Sequence, residues 1–124
     1  MIAADTSVLI DYFHGKNNTQ TDQLDEVFAH HLLVLPPTVL VEMLSDPFLP
    51  KKFVDKIEEL PLLEPTENFW QRAGINRSKL ISKKLKARLA DTLIAQSCID
   101  HKVQLITRDT DFKNFVKYCG LELF

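Results

Sequence analysis

Three short apolar runs, residues 1–4, 32–35 and 103–107, alternate with longer segments of helical periodicity, and this alternation constrains the fold more than any other feature. Runs without polar alternation read as strands buried on both faces, as in a parallel sheet covered by helices. A last strand is expected at 121–124 and a short one at 62–63. Helices are predicted over 6–13, 21–30, 38–44, 51–60, 67–85, 89–101 and 111–118, with Thr21 or Asp22 capping the second and Gly120 ending the last. Pro37 sits just before the third helix, where a missing N–H costs nothing, and Pro47 and Pro50 end it. With 124 residues there is no room for a second core, so the expectation is one α/β domain over residues 1–124.

The composition is that of an ordinary globular protein, 45% hydrophobic and 26% charged. Cys98 and Cys119 stand singly, which argues against a zinc site or a disulfide framework, and Cys98 fits a helix core as a small hydrophobe. The opening Met-Ile-Ala-Ala-Asp lacks a basic stretch, and no apolar run approaches the ~20 residues that span a bilayer. A cytoplasmic protein without membrane contact is expected.

Four acids stand out by their placement. Asp5 follows the first strand and Asp109 follows the 103–107 strand after Arg108. In an open parallel sheet, ligands bind beyond the carboxyl ends of strands, so these two can share one crevice. The alternative for each is a helix cap. Glu42 interrupts an otherwise apolar helix, which suits a cleft, although Thr38, Glu42, Ser45 and Asp46 also share one face that could be wet. Asp91 falls in the first turn of a helix, where the dipole favours a carboxylate, and is flanked by Leu89-Ala90 and Leu93-Ile94-Ala95.

Gathering such acids requires help. Two carboxylates ~4 Å apart repel by about 4 kcal/mol at an effective dielectric near 20. Either protons or a cation must neutralise them, and oxygen-only ligands point to Mg²⁺ or Mn²⁺. The four histidines offer no zinc arrangement: His30 and His31 are adjacent, His14 lies near a loop and His101 ends a helix. A carboxylate–metal site favours phosphodiester hydrolysis by a metal-activated water. No Ser or Cys nucleophile has a recognisable base, and three glycines cannot build a phosphate loop.

Twelve of the seventeen acids lie in residues 1–67, whereas residues 68–90 carry seven cations and no acid. Such a segment, Arg72 to Arg88, either tracks a phosphate backbone or forms a solvated helix face.

The motifs resemble those of PIN-domain ribonucleases, most closely VapC-type toxins of toxin–antitoxin pairs. The resemblance rests on Asp5-Thr6-Ser7-Val8-Leu9-Ile10-Asp11, Pro37-Thr38-Val39-Leu40-Val41-Glu42-Met43, Ala90-Asp91-Thr92-Leu93-Ile94-Ala95 and Leu105-Ile106-Thr107-Arg108-Asp109-Thr110-Asp111-Phe112. It covers essentially the whole chain. It implies a PIN-like three-layer α/β/α fold and a catalytic, metal-binding cluster of Asp5, Glu42, Asp91 and Asp109, with hydroxyls from Thr6 and Thr107 bonded to it. Asp111 matches a commonly acidic position and is read as a cap for the helix that Phe112 anchors. The resemblance also implies an Mg²⁺- or Mn²⁺-dependent endoribonuclease acting on RNA and silenced by a VapB-type antitoxin. Relatives usually dimerise, which allows a homodimer, or a heterotetramer or larger assembly with antitoxin, and residues 53–70 are apolar enough to supply an interface. A second reading is a PIN-like RNA-binding or assembly module with vestigial nuclease activity. A phosphatase is disfavoured because position 7 is Ser, so no Asp-x-Asp pair follows the first strand.

Overall fold

The computed structural model describes residues 1–124. Its centre is a three-stranded parallel sheet of β1 (Ile2–Ala4), β2 (Leu33–Val34) and β3 (Gln104–Ile106) in the order β2-β1-β3. Ile2 and Ala3 align with Leu33 and Val34 on one side, and Ile2, Ala3 and Ala4 with Gln104, Leu105 and Ile106 on the other. The chain runs from the central strand to one edge and then crosses to the other. With right-handed crossovers, that switch of direction puts helices on both faces. This is the expected three-layer α/β/α arrangement.

Seven helices cover the sheet: α1 (Thr6–Phe13), α2 (Thr19–Ala29), α3 (Pro37–Leu44), α4 (Lys51–Glu58), α5 (Phe69–Ser82), α6 (Leu89–His101) and α7 (Lys113–Cys119). A 3₁₀ turn at Thr110–Phe112 leads into α7. The core holds Val8 and Leu9 of α1, Leu24 of α2, Val39 of α3, Ile57 of α4, Leu80 of α5 and Ile94, Ala95 and Cys98 of α6 around the strand residues. Burial pushes the Cys98 thiol up to about 12, with the nearby Asp5 charge adding to it, so this side chain packs as an apolar group. Phe112 and Phe115 anchor the last helix with ring centroids 6.2 Å apart.

Several boundaries differ from the sequence expectation. α2 starts at Thr19 rather than 21 because Asn18 is its cap. The Asn18 side chain accepts from the Thr21 N–H and the Thr21 hydroxyl accepts from the Asn18 N–H, both at 2.9 Å. Neither Thr21 nor Asp22 caps it. α5 is shorter than 67–85: Asn68 is left-handed (φ 63°) at its start, and Lys84 (φ 61°) turns the chain beyond its end. Thr66, just before the predicted 67–85 helix, bonds Arg72 and Asp100 rather than capping α5. The strands expected at 62–63 and 121–124 reduce to single parallel bridges, Leu35 with Leu62 and Leu105 with Leu123. Pro61 and Pro65 deprive the first of ladder donors. At the second, Leu121 is buried but residues 122–124, the bridging Leu123 included, lie exposed along the sheet edge.

Candidate functional site

Because β1 and β3 are parallel neighbours, their carboxyl ends open on the same edge of the sheet, at the point where strand order reverses. Asp5 is the first residue beyond β1 and is 3% exposed. Its Oδ1 accepts from the Val8 N–H and the Ser7 hydroxyl, each at 3.0 Å, and its Oδ2 accepts from the Thr107 hydroxyl beyond β3. Asp5 is therefore both the cap of α1 and a fixed wall of the crevice. A carboxylate has about four lone-pair sites, so one on Oδ2 stays open. Burial raises its pKa, and the three donors oppose that rise.

Thr107 joins two acids, since its oxygen also accepts from the Asp109 N–H at 3.0 Å. Asp109 in turn caps the 3₁₀ turn, accepting from the Asp111 N–H at 2.9 Å. The cap role expected for Asp111 thus belongs to Asp109. Asp111 sits inside the turn, with its carboxylate 3.1 Å from the Lys86 ammonium.

Asp91 comes from α6. That helix has no side-chain cap at Arg88, and Asp91 lies in its first turn without capping it. Its Oδ2 is buried and has no hydrogen-bond partner. Burial pushes the Asp91 carboxyl up to about 6, with the charges of Asp109, Asp111 and Asp5 adding to the rise and Arg88 opposing it.

One carboxylate oxygen each from Asp91, Asp109 and Asp111 lie within 4.8 Å of one another. Repulsion at that spacing is about 3–4 kcal/mol per charged pair at an effective dielectric near 20. An all-oxygen set with an orphaned buried acceptor fits a hard divalent cation, which would occupy that acceptor and relieve the repulsion. Asp5 and Glu42 are outside this tight group. Glu42 lies on an exposed stretch of α3, beside Val41 and Leu44, and its Oε1 accepts from the Thr6 hydroxyl at 2.7 Å. That bond ties it to the residue after Asp5, at the rim of the crevice. The hydroxyl bonds expected of Thr6 and Thr107 are both present.

A family model for the PIN domain matches residues 2–118. The chain belongs to the PIN-domain family. No curated protein matches it by sequence. Among solved structures it is similar to VapBC2 from Rickettsia felis bound to a promoter DNA fragment, at 19% identity and a TM-score of 0.77, covering 100% of this chain and 98% of that one. A toxin–antitoxin complex from Klebsiella pneumoniae matches at 18% identity and 0.72, covering 98% and 95%. FitAcB from Neisseria gonorrhoeae matches at 20% and 0.71, covering 100% and 96%. At these identities the likeness establishes the fold. PIN domains are generally nucleases, and PIN nucleases typically use divalent metals.

The basic segment of this PIN domain is largely occupied with structural work. Arg72 donates to Asp100 through Nε (3.1 Å) and Nη2 (2.6 Å), and to the Glu67 carbonyl. That pair holds the Asp100 carboxyl below its ordinary value. Gln96, buried, donates to Asp100 and accepts from Asn76. Arg77 donates to the Ala87 carbonyl and Lys79 to that of Tyr118, while Lys83 lies over the Tyr118 ring. The α5–α6 network was missed in the sequence, although Gln96 and Asp100 at i, i+4 within an apolar helix are its visible trace. No helix is long and apolar enough to cross a membrane.

Proposed function

We propose that this PIN domain is an Mg²⁺- or Mn²⁺-dependent endoribonuclease, the toxin of a VapBC-type pair, and that it works with a cognate VapB-type antitoxin. The observation that carries the reading is the convergence of Asp91, Asp109 and Asp111 at the sheet's carboxyl edge, with a buried Asp91 oxygen left without a partner. Asp5, Glu42, Asp91 and Asp109 are the proposed catalytic and metal-binding acids, and Asp111 joins them. When bound, the divalent ion supplies a water of lowered pKa and neutralises charge on the leaving oxygen. The chain's own contribution is rigidity. Asp5 is held by three donors, Thr107 sets its spacing from Asp109, and the first turn of α6 presents Asp91. The solved relatives include toxin–antitoxin complexes, which supports a protein antitoxin as partner. A homodimer, or a heterotetramer or larger with antitoxin, is the matching assembly.

The test is cleavage of a mixed RNA substrate with MnCl₂ or MgCl₂. Cutting is expected to stop with chelator and with Asp91→Asn or Asp5→Asn. Cleavage by either variant at the wild-type rate sinks the assignment. Salt-dependent RNA binding with no cutting under any divalent metal would instead favour the vestigial binding module.

A further inference from the structure

Lys86 is the one cation of the basic segment that forms an ion pair with the acidic group, while Arg88 acts on Asp91 only through its charge. Its ammonium lies 3.1 Å from Asp111 Oδ2. The residues on either side are tied down. The Leu85 N–H donates to the Leu80 carbonyl at 3.0 Å, and buried Ala87 accepts from Arg77 Nε at 2.8 Å. Arg88 then leads into the turn that carries Asp91, with the Thr92 hydroxyl donating to the Arg88 carbonyl at 2.8 Å. The backbone beneath Lys86 is thus anchored to α5 and α6 together, while its side chain remains half exposed. The neighbouring Lys84 is exposed and joins no ion pair.

We infer that Lys86 is a resident counter-cation of the site, a positioning residue that holds Asp111 in the metal-free protein and that a divalent ion must displace from it. The inference rests on the proposed metal site. Asp111 is at once the partner of Lys86 and one of three acids able to share an ion, so the two cations compete for one carboxylate. The consequence is a metal site that is ordered before loading and binds its ion less tightly than three free carboxylates would.

The test is titration of the full chain with MnCl₂ by isothermal calorimetry at low ionic strength, for wild type, Lys86→Gln, Lys86→Arg, Lys84→Gln and Asp91→Asn. A half-exposed pair is worth a modest amount, so Lys86→Gln should tighten Mn²⁺ binding by about twofold to fivefold. Lys86→Arg should stay near wild type, and higher salt should shrink the difference. Lys84→Gln removes the same charge without touching Asp111 and should change little. Equal or weaker binding by Lys86→Gln overturns the competition, as does an equal gain in Lys84→Gln, which would mark a general field effect. Should wild type bind no Mn²⁺, or Asp91→Asn bind as well as wild type, the metal site itself falls and the competition with it.

Discussion

Asp91→Asn should make the metal-free protein more stable at neutral pH, although it destroys a proposed catalytic acid. Asp91 is raised from 3.8 to about 6, chiefly by burial and then by the Asp109 charge. A carboxyl raised by folding stabilises the fold fully below its unfolded value. That contribution is lost as pH climbs through the folded value, here between about 4 and 6. The rise corresponds to roughly 3 kcal/mol at 1.36 kcal/mol per unit, and screening at this half-open position reduces it to about 1–2 kcal/mol. An amide carries no charge, and its NH₂ can donate to the facing carboxylates of Asp109 and Asp111. At pH 7.5 the variant should therefore melt about 3–10 °C higher than wild type in metal-free buffer, given the ~3–5 °C per kcal/mol expected at this size. At pH 4 the gain should vanish, because wild-type Asp91 is then protonated. Millimolar MnCl₂ should stabilise wild type and leave the variant unmoved. Differential scanning calorimetry at both pH values decides it. A gain of the same size at pH 4 and 7.5, or none at either, would refute the electrostatic account.

Thr107→Val removes both the hydroxyl that reaches Asp5 and the acceptor for the Asp109 N–H, and should cost about 1–3 kcal/mol in urea unfolding, with Thr107→Ser close to wild type. Phe112→Ala empties a side-chain volume that is 1% exposed and should cost about 3–5 kcal/mol by the same assay. Arg72→Met strands Asp100 between α5 and α6; a loss of about 1–3 kcal/mol is expected, recovered in part by the added change Asp100→Leu, and an additive double mutant would show that the pair is uncoupled.

The order of strands and helices was legible in the sequence because apolar runs and helical periodicity are local signals. Ile2–Ala4, Leu33–Val34 and Gln104–Ile106 all fall within expected strands. The misread boundaries are those set by contacts across the chain. α5 begins at Phe69 rather than 67, with Thr66 bonded to Arg72 and Asp100 ahead of it, and Leu62 and Leu123 find single bridge partners rather than full ladders. For the site, Asp5 and Asp109 could be placed from their positions after strands. Both turned out to be helix caps and crevice acids together, two roles that local sequence presents as rivals.

What sequence alone determined is that Asp5 and Asp109 share one edge of the sheet, because parallel strands send their carboxyl ends the same way. Only the tertiary structure decided which carboxylates meet. It brought Asp111 into the group with Asp91 and Asp109, set Glu42 at the rim, and laid Lys86 on Asp111. The reason is distance. Side chains separated by tens of residues come within 5 Å only through the packing of α6 against the turn after β3, and no periodicity along the chain encodes that approach.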